Sequence, residues 1–187
     1  MITTFQSLSL ILIVLANFLL GYVVYRRHST NILNRIFLTF TLSIVFWLLA
    51  NFLVDSDQQN AVLWINLTYL GSTLISVFLI YFSIIFPKVP IKISPYLHLL
   101  IIGISATVMY LVFFSKLIVA GLIFRTWGTD INPGVLYVIY PVYFLLFSII
   151  SLTYLWKKYR NSLGIERTQI LYVFLGLFFE CCCWFFH

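Results

Sequence analysis

Six stretches of this chain are each apolar for long enough to cross a bilayer, and that leaves it almost no soluble fold to adopt. They cover about residues 5–25, 36–54, 62–86, 95–114, 135–155 and 168–186. Roughly 20 predominantly apolar residues span the hydrocarbon layer as a helix. Inside that layer no water satisfies the backbone, so such runs close their hydrogen bonds within themselves and form helices. Of the 187 residues, 63% are hydrophobic and 9% charged, with a mean hydropathy of +1.07. Soluble domains carry about 25% charged residues. The expected fold is therefore an all-α polytopic membrane bundle, a single domain over residues 1–187.

The loops between the runs differ in charge from one side to the other. With the N-terminus placed outside, Arg26, Arg27, Arg35, Lys88, Lys92, Lys157, Lys158, Arg160 and Arg167 fall in inner loops. Only Lys116 and Arg125 fall outside, together with Asp55, Asp57 and Asp130. Short basic loops stay on the cytoplasmic side, so this bias predicts a protein of the plasma (inner) membrane with its N-terminus outside. The segment 156–169 is the most basic of these loops and pins the inner face. Before the first run, Met1-Ile2-Thr3-Thr4 lacks the positive charge of a secretory signal, and Arg26-Arg27-His28 follows the run instead. That order suits a retained first span. The net charge of +6 is spread over short loops without a long run. It is read as topology determinants beside anionic headgroups, with no nucleic-acid partner.

The most irregular stretch is 115–134, between the fourth and fifth runs. Leu117-Ile118-Val119-Ala120-Gly121-Leu122-Ile123-Phe124 alternates loosely and is followed by a Gly/Asp/Asn/Pro cluster ending at Gly134. β-Branched residues bounded by turn formers predict a small extracytoplasmic hairpin or a re-entrant cap, with a plain interfacial helix as the alternative.

Chemistry-bearing residues are few. Cys181, Cys182 and Cys183 are consecutive, so on a helix they point about 100° apart and cannot share one metal ion. They read as apolar filler. Glu180, in the last run, is the candidate intramembrane ionisable residue; such groups are costly in lipid and persist for function. Its simpler reading is a residue facing the bundle or the outer interface. His28, His98 and His187 form no cluster, no catalytic motif is present, and no cofactor or metal site is expected. Asn66-Leu67-Thr68 matches a glycosylation acceptor but lies at or within the third span, so it is read as chance. Trp64, Tyr69, Tyr110, Tyr137, Tyr140 and Tyr143 lie on the outer halves of the spans. They are candidates to face a ligand, with an interfacial aromatic belt as the plainer explanation.

Several local patterns, in order, resemble the N-terminal seven-span sensor region of bacterial histidine kinases, also found ahead of other signalling modules. They begin with Asn31-Ile32-Leu33-Asn34-Arg35-Ile36-Phe37, Trp47 and Leu63-Trp64-Ile65-Asn66-Leu67-Thr68-Tyr69-Leu70-Gly71. Tyr81-Phe82-Ser83-Ile84-Ile85-Phe86-Pro87, Ile118-Val119-Ala120-Gly121 and Pro133-Gly134-Val135-Leu136-Tyr137 follow. Lys158-Tyr159-Arg160 and Gly164-Ile165-Glu166-Arg167-Thr168-Gln169-Ile170-Leu171-Tyr172-Val173-Phe174-Leu175-Gly176 complete the set. The resemblance implies signal reception, passed to a cytoplasmic output domain beyond a seventh span, and it brings no catalytic residue to this region. Any kinase activity would then lie downstream. After Gly176 only eleven residues follow, to His187. The expectation is a sensor unit lacking its seventh span and output domain, which six spans would leave with its C-terminus outside. The competing readings are a small transporter or permease-like protein, which would show paired broken helices or several intramembrane charges, and a lipid-acting membrane enzyme built around Lys116, Arg125 and Asp130. Candidate partners are the bilayer, a small hydrophobic ligand and a second copy of the chain.

Overall fold

A computed structural model describes residues 4–87, 94–125 and 128–185, with side chains described for all of these except 4–6 and 176–185. Six long helices follow the apolar runs: α1 (Thr4–Arg27), α2 (Ile32–Ser56), α3 (Ala61–Ile85), α4 (Pro95–Phe114), α5 (Ile139–Asn161) and α6 (Gly164–Phe185). Among the described residues, α1 to α5 are long and apolar enough to cross a membrane. The protein is an all-α polytopic membrane bundle.

Local chemistry sets the helix ends. Asn31 caps α2 through its side chain, which accepts the Leu33 N–H at 3.0 Å. Pro95 occupies the first turn of α4, where its missing N–H costs nothing. The fifth helix runs past its apolar stretch to Asn161, because Lys157, Lys158 and Arg160 are good helix formers. It breaks at Ser162-Leu163-Gly164, where Gly164 takes a left-handed φ of 61° that a side chain would disfavour.

Between α4 and α5 the chain forms the hairpin, β1 (Val119–Arg125) paired antiparallel with β2 (Gly128–Pro133). The register runs from Arg125 opposite Gly128 back to Val119 opposite Pro133, with an irregularity between Val119 and Gly121. Of the two expectations for this stretch, the strand pair is the one that forms. Its base is tied to the bundle by Gly134 N–H to Ile118 C=O at 2.9 Å and Leu136 N–H to Leu117 C=O at 2.8 Å.

The third helix is the centre of the bundle. It contacts α2, α4 and α5, while α1 packs on the far side of α2 and α6 on α5. Its buried residues include Gly71, Ser72, Thr73, Ser76 and Ser83 beside Ile65, Tyr69, Ile80 and Ile84. Lipid tails are as apolar as leucine, so membrane helices associate through close backbone approach and interhelical hydrogen bonds, and small residues serve both. At Gly71 a Cβ would lie 2.9 Å from both Cα and Cβ of Trp47 on α2. Replacing Gly71 by alanine should therefore push α2 and α3 apart and destabilise the bundle by about 1–3 kcal/mol. Gly103 on α4 has nothing within 4 Å of a Cβ, so Gly103→Ala should be neutral or slightly stabilising. Equilibrium unfolding in mixed micelles, comparing the two variants, checks both.

Candidate ligand cavity

At the hairpin end of the bundle, α2, α3, the start of α5 and β2 enclose a cavity of about 330 Å³, within the roughly 300–1,000 Å³ usual for small-molecule sites. Helical periodicity builds two of its walls. On α2, Trp47, Asn51, Val54 and Asp55 fall on one face at spacings of three and four. On α3, Ile65, Thr68, Tyr69 and Ser72 do the same. Thr129, Asp130 and Ile131 of β2 cover it, and Tyr137, Tyr140 and Pro141 close the fourth side.

The deep wall is a polar knot between α3 and α5. Tyr140, 4% exposed, donates its hydroxyl to the Tyr69 carbonyl at 2.9 Å and pairs with the Ser72 hydroxyl. The Tyr69 and Tyr140 rings meet edge to face, 4.4 Å between centroids at 82°, the arrangement ring quadrupoles favour. Farther along α5, Tyr143 shares a 2.9 Å hydrogen bond with Ser105 and so ties in α4. Tyr140 and Tyr143 thus each place a large apolar body in the interior with the polar tip satisfied.

The hairpin is held over the opening by Asp55, whose Oδ1 accepts the Thr129 N–H at 2.8 Å. Arg125 and Asp130 form an ion pair across the two strands at 3.2 Å. Two of the lining residues, Thr68 and Thr129, have hydroxyls that are buried without a hydrogen-bond partner among the described residues. A second cavity of about 460 Å³ lies between α3, the end of α4 and β1, and its lining includes Val112, Phe113, Val119 and Lys116.

The six aromatic candidates separate into distinct places. Tyr69, Tyr137 and Tyr140 line the cavity together. Tyr143 sits deeper, bonded to Ser105. Trp64 packs against the edge of the core, with its Nε1–H donated to Asp57 Oδ2 at 3.0 Å. Tyr110 is 62% exposed on α4 and stacks near Phe114. Glu180 and Cys181, Cys182 and Cys183 are in α6, and their side chains lie outside the described residues. Trp47, Asn51, Asp55, Thr68, Ser72 and Thr129 contribute to the site without having been marked as candidates. The i, i+4, i+8 spacing of Trp47, Asn51 and Asp55 was the available signal for the α2 wall.

Residues 9–185 match the family model for the N-terminal 7TM region of histidine kinase. The chain belongs to that family. No curated protein and no solved structure matches it. The match is to the membrane region of histidine kinases and carries no kinase core, and it points to a sensor role for the chain.

Near the cavity mouth, in the turn between α2 and α3, Asp57 accepts hydrogen bonds from Trp64 Nε1 and Asn60 Nδ2, each at 3.0 Å. Both favour the charged form and hold the carboxyl below the ordinary carboxylate range, with the Trp64 bond the larger cause. The linked stability is complete above the ordinary carboxylate pKa and is lost as the pH falls through the lower folded-state value. Trp64→Phe should raise the Asp57 titration midpoint toward the ordinary carboxylate range, and a carbon-detected NMR titration of the aspartate carboxyls reads that shift.

Proposed function

We propose that this chain is the signal-receiving region of a membrane signalling protein. Its hairpin end faces outside and its basic end faces the cytoplasm. The cavity takes a small ligand, and the helix ends at the basic side pass the change to a cytoplasmic output domain. The nine-to-two partition of basic residues supports the orientation.

One observation carries the reading: the two helices that make the deep wall of the cavity are clasped again at the opposite end. Lys158 on α5 reaches the last carbonyls of α3, with Nζ 2.5 Å from the Ile84 oxygen and 2.6 Å from the Phe86 oxygen. A cation suits the partial negative charge at a helix C-terminus, and those carbonyls have no partner within the helix. The α3–α5 pair is thus joined at both ends and packed between. A ligand shifts such an assembly only by binding two arrangements with different affinity. Contact with α2, α3, α5 and the hairpin at once gives it the means to do so.

Filling the cavity should mimic occupancy. Thr68→Phe adds bulk there without removing a hydrogen bond made by Thr68 Oγ1. Spin labels replacing the exposed Tyr96 and Lys157 report the separation of α4 from α5 at the basic end, in a background with Cys181, Cys182 and Cys183 changed to serine. Thr68→Phe should move the distance distribution by about 1–2 Å, and Lys158→Met should blunt that movement. An unchanged distribution with Thr68→Phe would refute the coupling.

A further inference from the structure

We propose that the cavity at the hairpin end binds a small organic cation, a quaternary or methylated ammonium carrying a hydroxyl, of the chemical class of choline. This rests on the reading of that cavity as a ligand site and specifies what the site accepts.

Three independent features of the lining select this chemistry. The first is aromatic. Trp47 comes from α2, Tyr69 from α3, Tyr137 from the turn before α5 and Tyr140 from the start of α5. Aromatic faces are negative and attract a weakly hydrated cation, and tryptophan is the best of them. The cavity therefore combines apolar area for methyl groups with attraction for the charge they surround.

The second is charge. Asp55 and Asp130 line the cavity, and among the described residues no lysine, arginine or histidine does. Asp130 is matched by Arg125 across the hairpin. Asp55 has no ion-pair partner among the described residues, and its Oδ1 is engaged only by the neutral Thr129 N–H. The lining is thus left with one carboxylate unneutralised by a cation, which would repel an anionic ligand and attract a cationic one.

The third is hydrogen bonding. Three buried side-chain oxygens among the described residues have no partner, and two of them, Thr68 Oγ1 and Thr129 Oγ1, belong to residues that line this cavity. Buried polar groups are ordinarily satisfied, and one left alone costs about 1–3 kcal/mol. Both oxygens are closed off here, and a ligand hydroxyl would satisfy one of them by drawing that threonine side chain round toward the cavity. A purely hydrocarbon ligand would leave both hydroxyls unsatisfied and meet the unneutralised Asp55 carboxylate besides, so a small hydrophobic ligand is the poorer fit. A bare metal ion is poorly served as well, since no group of three His, Cys, Asp or Glu residues is assembled among the described residues.

The test compares choline with its neutral carbon isostere, 3,3-dimethylbutan-1-ol, using the full chain in detergent micelles. Binding is read by calorimetry and by the fluorescence change of the tryptophans. Choline should bind saturably, and the isostere about tenfold more weakly or not at all. Asp55→Asn removes the charge while Asn Oδ1 still accepts the Thr129 N–H, so it should weaken choline by about tenfold and leave the isostere unmoved. Thr68→Val is the second variant; it should erase the advantage of choline over tetramethylammonium, and it supplies the test if Asp55→Asn does not fold. Equal binding of choline and the isostere, choline binding indifferent to both substitutions, or calcium chloride binding in place of choline would each overturn the proposal. So would no saturable binding of choline up to tens of millimolar. The cavity-filling measurement needs no ligand, so the two readings fail separately. Tight binding of the isostere refutes the cation and leaves the receptor standing, whereas choline binding without helix movement refutes the receptor and leaves the site.

Discussion

The structure depends on how closely α3 can be approached. A helix in lipid gains nothing hydrophobic by leaving one apolar neighbour for another, so what holds α3 at the centre must be contact and hydrogen bonding. Gly71 lets the α2 backbone come in at Trp47. One residue on, Ser72 turns its hydroxyl to Tyr140 of α5, and Thr73 reaches Met109 of α4 through a 3.1 Å contact from oxygen to sulfur. Three consecutive residues thus meet three different helices, which consecutive positions about 100° apart are placed to do. Larger side chains at these positions would keep the neighbours at arm's length, and the polar tips on α5 would lose their partners.

That crossing also determines where a cavity can exist. At the level of Gly71 to Thr73 the helices are in contact, and Trp47 and Ser72 there mark the inner limit of the cavity. Toward the hairpin end, Trp47, Tyr69 and Tyr140 border a space that is roofed by β2 rather than filled by another helix. A strand pair suits this position because it leaves the membrane helices at α4, returns at α5, and satisfies its own backbone on the way. Asp55 fixes it in place with a single charge-assisted bond to the Thr129 N–H. The roof is therefore attached to the helix whose aromatic residue also lines the wall, and movement of one is felt by the other.

Much of this was legible in the sequence because membranes enforce a few strong rules. Span positions followed from apolar run length, and the hairpin from β-branched residues ahead of Asp130, Asn132, Pro133 and Gly134. Tyr69, Tyr137 and Tyr140 could be marked as candidates from their depth alone. What depth could not supply was helical phase and neighbour. Tyr110 lies on a comparable half of its span and faces outward from α4, while Trp64 turns to the α2–α3 turn and Asp57. Nor could composition distinguish Thr68, whose hydroxyl has no partner in the cavity wall, from Thr107, which bonds back to its own helix at Gly103 with a distance of 2.9 Å. Asn51 and Asp55 are separated by one turn, a pattern that acquires meaning only once α2 is known to face α3 and the hairpin.

The basic segment after α5 meets two demands that ordinarily compete. In the orienting role proposed for it, it needs charges free to sit among headgroups, and Lys157 and Arg160 are exposed at the helix end. As a structural joint it needs one charge withdrawn and committed, and Lys158 supplies that by turning to the carbonyls of Ile84 and Phe86. The geometry allows both because Lys157 and Lys158 leave the helix about 100° apart, one toward the surroundings and one toward α3. Pro87 then does for α3 what Ser162-Leu163-Gly164 does for α5, ending the helix so that its last carbonyls are open to a donor from outside. Neutralising Lys158 would thus leave the exposed Lys157 and Arg160 in place, while freeing the end of α3 from α5. The same short stretch of sequence can thus serve the proposed orientation and still carry the Lys158 joint between α5 and α3.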